Sequence, residues 1–362
     1  MNERPVVVIT GCAGLLGSHL IRHLIKDGYR VIGIDNLSGG YSDYLPKEQE
    51  EQYLTRRRGG AFEFWPLDLT DREAPRTLEH IYQVNEVEAT FHFAAYAAEG
   101  LSPFIRNFNY TNNVIASANV INAVINDPHK DGTRRQAPSR PNLIFTSSMA
   151  VYGDQEAPFT EDMTPKPIDP YGVAKYAVEQ DIKIAADQHG ITYTIVRPHN
   201  IIGIYQNIWD KYRNVVGIFI KKVLDGEPML IYGDGCQTRA FSDVKHFMRP
   251  FAKMIDTGGI DSDHTINLGA DKTYTINELA DTVQRVARKN GYKAEKQHVE
   301  GRHEVKHAHC DHSKAKTFFN FRDETDLEEL VDEMFKWAMT QPKREQKTMN
   351  YEITKGIYDY WK

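Results

Sequence analysis

A chain of 362 residues, 41% hydrophobic and 26% charged, has the composition of an ordinary globular protein. Its length suits one large domain with a smaller companion, or two to three domains. The formal net charge of −6 gives no electrostatic case for nucleic-acid binding, and no apolar run approaches a membrane span.

Cys12, Cys236 and Cys310 are odd in number and far apart, so they offer no disulfide framework and suit a reducing compartment. Core-type residues begin at Val6, which leaves no room for a signal peptide, and a cytoplasmic protein is expected.

Val6-Val-Val-Ile-Thr10 runs into glycines at 11, 14 and 17, and an amphipathic stretch from Leu15 to Lys26 follows. The pattern predicts a buried parallel strand, a tight turn, and a helix whose N-terminus faces an anion. Gly11 permits the turn, Gly14 lets the backbone approach a pyrophosphate, and Gly17 lets the helix pack closely on the strand. A GxxGxxG spacing is a weak signal alone; the strand before it and the helix after it supply the context. Tyr29–Asp35 reads as the second strand, ending in an acid that can accept hydrogen bonds from an adenosine ribose.

Residues 43–61 carry Glu48-Gln-Glu-Glu51 and Arg56-Arg-Arg58 and read as a solvated, partly helical excursion. Phe62–Leu69 is the third predicted strand, with Asp68 at its end where an adenine would sit. Ala89–Ala95 is the fourth, its Ala94 and Ala95 small enough for a cofactor to approach. A helix over 109–126 and a surface loop over 127–142 follow. The fifth strand begins at Asn142, a helix runs from Tyr171 to His189, and Ile191–Pro198 is the sixth strand. Strands alternating with helices predict an α/β fold with a doubly wound parallel sheet.

Beyond residue 200 this rhythm breaks. Short helices are expected at 214–225, 244–257, 276–290 and 326–340, the last with Leu327, Leu330, Val331, Met334, Phe335 and Ala338 on one face. The expected organisation is a dinucleotide-binding Rossmann domain over 1–198, with return segments from about 240–270, and a smaller α/β substrate domain over 199–362.

Three residues form a chemical constellation. Ser148 follows the fifth strand, and Tyr171 and Lys175 stand at i, i+4 on the next helix, so both project from one face. A free phenol, with a pKa of about 10, is a poor base at neutral pH. A neighbouring ammonium and the positive ring of an oxidised nicotinamide would favour the phenolate. The serine hydroxyl can hydrogen-bond a forming carbonyl or relay a proton.

The chain resembles the extended short-chain dehydrogenase/reductases, and among them the NAD-dependent nucleotide-sugar epimerases and dehydratases. The resemblance spans roughly residues 5–340. It rests on Thr10-Gly-x-x-Gly-x-x-Gly17, Asp35-Asn36, Asp68-Leu69, His92-Phe-Ala-Ala95, Ser147-Ser-Met-Ala-Val-Tyr-Gly153 and Tyr171xxxLys175. Arg197-Pro-His-Asn200, Tyr232-Gly-Asp-Gly-Cys-Gln-Thr-Arg239 and Asp311-His-Ser-Lys-Ala315 complete it.

The resemblance implies an NAD site over Gly11, Gly14, Leu15, Leu16 and Gly17. It places Asp35 and Asn36 at the ribose and Asp68 and Leu69 at the adenine, with Ala94, Ala95, Asn113, Tyr171, Lys175 and Pro198 further along. Lys175 would bind the nicotinamide ribose. NADP is not expected, because Asp35 would repel a 2′-phosphate and no arginine directly follows it. For the substrate, the resemblance implies Ser148, Tyr171, Asn200, Asn214, Tyr232, Arg239 and Arg302. Ala308, three residues before Asp311, falls where the family has a gatekeeper; a small residue there implies room for an N-acetyl group.

The resemblance also implies a homodimer built on the helices near 109–126 and 171–188. Those stretches carry Val114, Ile115, Val120, Ile121, Val124, Ile125, Tyr176, Ala177, Val178, Ile182 and Ile184, more apolar residues than one core-facing stripe needs. His199 replaces the family's aromatic, Arg302 sits in Gly-Arg-His rather than Arg-Pro-Gly, and the motif through Asp243 lacks the aromatic before Val244 and the acid after it. His303, His307, His309, Cys310 and His312 match no closed zinc spacing and read as a solvated segment, partly facing phosphate, with no metal.

Family dehydratases carry Asp-Glu after the catalytic serine or threonine; here those positions are Met149 and Ala150. The expected reaction is therefore 4-epimerisation of a UDP-hexose or UDP-N-acetylhexosamine through a transient 4-ketone. The alternatives left open are a 4,6-dehydratase, another nucleotide-sugar oxidoreductase or 3,5-epimerase, and a non-enzymatic NAD-sensing regulator. Tyr205 stands where an arginine is expected in uronate epimerases.

Overall fold

The computed structural model describes residues 4–47, 61–129, 143–255, 264–302 and 304–361. The two charged runs at 48–51 and 56–58, most of the 127–142 loop, and His303 lie outside the described residues.

Seven strands form the central sheet, in the spatial order His264–Leu268, Tyr193–Pro198, Leu143–Thr146, Val87–His92, Val6–Thr10, Arg30–Asp35, Phe62–Pro66. Every pairing in it is parallel. All five residues of Val6–Thr10 are buried, as expected of a strand covered on both faces. The order reverses between Val6–Thr10 and Val87–His92, so the crevice beyond their carboxyl ends is the topological switch point where ligands bind in such sheets.

Two strands stop earlier than their apolar runs predict. The third ends at Pro66, which has no N–H to donate and sits on the sheet edge. The fourth ends at His92, which frees Ala94 and Ala95 to face the crevice. The helix predicted over 109–126 begins at Arg106 and contains a π-turn at Thr111–Ile115.

Helices cover both faces of the sheet. Leu15–Lys26 packs with Lys245–Ile255, which packs in turn with Ser313–Phe319; all three share one apolar cluster. Residues 313–321 were expected in the smaller domain, yet Ala315, Phe319 and Phe321 join the core beside the first strand. The other face holds Ala74–Val84, Ala116–Ile125 and Pro170–His189. A separate cluster unites Val215–Leu224, Ile276–Lys289 and Leu327–Met339, built on Phe219, Val283, Val331 and Phe335. Among the described residues, no helix is long and apolar enough to cross a membrane.

Candidate active site

The glycine turn sits where the sheet order reverses. Gly11 has φ +69°, and a Cβ there would lie 2.7 Å from the Ala94 nitrogen, so only glycine fits. A Cβ on Gly17 would lie 2.5 Å from the Cys12 Cα, so this residue serves helix packing and does not line the cleft. Gly14 caps Leu15–Lys26 with no side-chain hydrogen bond. The start of that helix is therefore left without a side-chain cap from its N-cap residue, as an anion site requires.

The Asp35 carboxylate is held by the Ala13 N–H at 3.0 Å and the Leu37 N–H at 2.7 Å. Asn36 donates to Asp68 at 2.7 Å, and Asp68 also accepts from Thr70 N and Oγ1. Burial would raise the Asp68 carboxyl, but these bonds hold it below its ordinary value. An uncapped helix, a glycine cradle and two fixed carboxylates are a donor and acceptor set that fits a dinucleotide. Leu15, Leu16, Leu69, Ala94, Ala95 and Pro198 line the same cleft, of about 810 Å³. Asn113 does not: its side chain bonds the N–H and C=O of Tyr96 and the Asn109 side chain, so it shapes the wall from behind. The π-turn holds that asparagine in place.

Ser148, Tyr171 and Lys175 meet at the far end of the cleft. Ser148 caps the short turn Met149–Val151, accepting from Ala150 N at 3.1 Å, and its hydroxyl works against the rise of the Tyr171 phenol. Tyr171 lies in the first turn of Pro170–His189, capped by Asp169 at 2.9 Å from Gly172 N. Lys175 donates to the Thr146 carbonyl at 2.9 Å, and its ammonium lies 5.9 Å from the Tyr171 ring.

The electrostatics differ from the simple expectation. Burial pushes Lys175 down to about 7, against the pull of Glu179. Burial also pushes the Tyr171 phenol up, with Glu99 and Asp169 adding to the rise and Ser148 opposing it. Lys175 alone therefore does not make a phenolate. Ser148 and Arg213 favour the phenolate, and an oxidised nicotinamide would add its positive charge when bound.

The sequence did not single out Glu99 and Asp169 as site residues, yet both line this end of the cleft. Burial and the neighbouring Glu99 push Asp169 up to about 7. Burial raises Glu99 too, while Arg239 and Arg302 oppose it.

The remaining residues expected at the substrate divide into two groups. Among the described residues, the buried Nδ2 of Asn200, a residue with φ +39°, has no hydrogen-bond partner, and the buried Arg302 Nε has none either. Both are donors in the cleft still seeking an acceptor. Arg239 lines the cleft but is committed elsewhere. Its Nη1 donates to the Thr238 and Lys306 carbonyls, and its Nη2 to Glu304 at 3.1 Å and to the Val305 carbonyl. Glu304 also pairs with Arg302 at 3.4 Å. The Asn214 oxygen caps Val215–Leu224 and its amide reaches the Ile201 carbonyl, so its first role is to start that helix. Tyr232 carries the Arg302 guanidinium 4.5 Å from its ring centre. Ala308 is buried beside the main cleft, in a side pocket of about 90 Å³ shared with Ser148 and Met149.

The histidine-rich segment is not a solvated face throughout. His312 is buried, with its Nε2 2.9 Å from the His199 Nε2 and its Nδ1 2.9 Å from Asp271. This explains the histidine at 199: its ring stacks on His312. His307 instead bonds Thr238. Among the described residues, no group of three or more His, Cys, Asp or Glu is placed to hold a metal ion.

Comparison with known proteins agrees with this geometry. A putative UDP-glucose 4-epimerase of Methanocaldococcus jannaschii is 28% identical over 92% of this chain and 98% of its own. The structure of a UDP-glucose 4-epimerase from Thermotoga maritima with UDP-glucose superposes with a TM-score of 0.78, at 28% identity over 92% of this chain and 98% of that one. A UDP-N-acetylglucosamine 4-epimerase from Methanobrevibacter ruminantium, in complex with UDP-N-acetylmuramic acid, has the same TM-score at 30% identity over 94% of this chain and 100% of that one. Residues 7–269 match the NAD dependent epimerase/dehydratase family, and the chain belongs to it.

Proposed function

We propose that this chain interconverts UDP-hexoses that differ in configuration at C4, through a transient 4-ketone. The observation that carries the reading is the meeting of Ser148, Tyr171 and Lys175 in the cleft that holds the glycine turn. Met149 and Ala150 follow the serine, and neither side chain can transfer a proton. Bound NAD supplies the acceptance and return of hydride at C4. Tyr171 takes the hydroxyl proton, Ser148 hydrogen-bonds the forming carbonyl oxygen, and Lys175 holds the nicotinamide ribose. Asn200 and Arg302 offer their unpaired donors to the diphosphate.

The sugar in this reading is a neutral hexose or N-acetylhexosamine. Tyr205, which lines the cleft, supplies no cation to hold a uronate carboxylate. The side pocket beside Ala308 offers space for an acetamido group.

Glu99 and Asp169 favour a second reading, 4,6-dehydration, because Asp169, pushed up to about 7, can exchange a proton near neutral pH. Turnover in deuterated water without added cofactor separates the two. Epimerisation leaves every carbon-bound hydrogen unexchanged. Deuterium at C5 with a 4-keto-6-deoxy product supports dehydration, and inversion with exchange at C3 or C5 supports a 3,5-epimerase. A chain that binds NAD yet turns over no nucleotide sugar supports a regulator.

A cytoplasmic homodimer completes the proposal. Val120, Ile121, Val124, Val178 and Ile182 are occupied in the core, whereas Ile115 and Ile184 remain 53% exposed on the two helices a second copy would cover.

A further inference from the structure

Residues 343–361 lie beyond the stretch that matches the family, and none of the expected site residues falls there. They form a strap across the mouth of the cleft. Arg344 grips both oxygens of Asp43, at 2.8 and 2.6 Å. The Lys347 N–H donates to the Trp209 carbonyl at 2.9 Å. Glu352 accepts from the N–H groups of Asn107 and Phe108, at 2.7 and 2.8 Å. Trp361 is buried against Phe104. These anchors tie the strap to the loop after Asp35, to the segment leading into Val215–Leu224, and to the start of the Arg106 helix.

The strap carries Tyr360 into the cleft. Its ring stacks on Tyr232, with centres 4.6 Å apart and planes at 29°. Its hydroxyl is buried and has no hydrogen-bond partner among the described residues. Burial pushes that phenol up, so it stays protonated and able to donate. Arg302 lies against the same Tyr232 ring with its own Nε unpaired, and Asn200 offers a third unpaired donor to the cleft. Buried donors without acceptors are rare and costly in folded chains, and Tyr360, Arg302 and Asn200 each bring one to the same cleft. An oxygen-rich ligand resolves all three.

We propose that Tyr360 is a substrate-binding residue, delivered by the 343–361 strap, and that its hydroxyl donates to the nucleoside diphosphate half of the substrate. The assignment rests on the nucleotide-sugar reading of the cleft. Tyr232 positions the Tyr360 ring, and the strap anchors hold Tyr360 in reach. The hydroxyl supplies the bond; the ring supplies the wall.

The test is calorimetric titration of UDP into the full-length, NAD-loaded protein, its Tyr360→Phe variant, and a chain stopped after Pro342. Tyr360→Phe keeps the ring and its stack and removes only the donor. It is expected to weaken UDP binding about tenfold, as loss of a hydrogen bond to a charged group does, without changing the thermal transition or the bound NAD. The shortened chain is expected to bind UDP more weakly still. UDP binding within twofold of wild type in Tyr360→Phe overturns the assignment while leaving the nucleotide-sugar reading intact. A wild-type chain that binds no UDP overturns both. If the shortened chain fails to fold, Tyr360→Phe decides alone.

Discussion

Glu179 meets Arg197 through two hydrogen bonds, Nε to Oε1 at 2.9 Å and Nη2 to Oε2 at 2.6 Å, with side chains 0% and 2% exposed. The pair sits one helical turn beyond Lys175, and Ser147, the neighbour of Ser148, donates to the same carboxylate at 2.5 Å. One buried ion pair thus underpins both the lysine and the serine of the site. Removing one partner leaves an uncompensated buried charge. Glu179→Gln is expected to cost roughly 3–5 kcal/mol in urea unfolding, and changing both residues to apolar ones of similar volume far less. Equal losses from the single and double variants would contradict this.

The same carboxylate sets a pH dependence. The Lys175 ammonium faces Glu179 on its own helix, His92 from the fourth strand, and Tyr171. Burial brings it down to about 7, so its charge is present below that pH and lost as pH rises through it. If the ammonium is required, kcat/KM falls on the alkaline side. Removing the Glu179 anion disfavours the ammonium further, so in Glu179→Gln that limb moves to lower pH. Glu179→Asp should restore it. A limb that moves to higher pH, or stays in place, argues against the assignment.

Tyr171→Phe is expected to lower kcat by about 10²–10⁴-fold, the usual value of a positioned acid–base group. The variant should still carry NAD, and the dinucleotide released on denaturation should be NAD rather than NADP, given the fixed carboxylate of Asp35. Ser148→Ala should be milder, because water can take over its hydrogen bond. Near-normal turnover by Tyr171→Phe would place the base elsewhere, with Asp169 the first alternative.

Ala308→Tyr is expected to fill the side pocket beside Ser148 and lower turnover of UDP-N-acetylhexosamine relative to UDP-hexose. The measurement is the ratio of the two kcat/KM values in wild type and variant. An unchanged ratio would mean the acetamido group lies elsewhere.

Light scattering at micromolar concentration should give twice the chain mass, and Ile115→Asp with Ile184→Asp should return the monomer with its thermal transition intact. Both positions are exposed in the single chain, so the substitutions disturb no core contact. A wild-type monomer would refute the dimer.

The dinucleotide end was legible in the sequence because its chemistry is local. A strand, glycines 11, 14 and 17, and an acid ending the next strand specify a turn and a helix start with few long-range choices, and Gly11 and Asp35 occupy the places their spacing implied. Tyr171 and Lys175 were legible for the same reason: helical geometry puts i and i+4 on one face. The protonation balance at that pair was not legible, since it depends on how much protein surrounds the ammonium and the phenol. Nor was the meeting of His199 with His312, 113 residues apart, nor the commitment of Arg239 to Glu304. The strap shows the limit most plainly. Nothing near Tyr360 in the chain marks it as part of the site; only the folding of residues 343–361 back across the cleft brings its ring onto Tyr232. Periodicity and turn chemistry act over a few residues and so are written in the chain. Burial, desolvation and the pairing of distant side chains are properties of the closed fold.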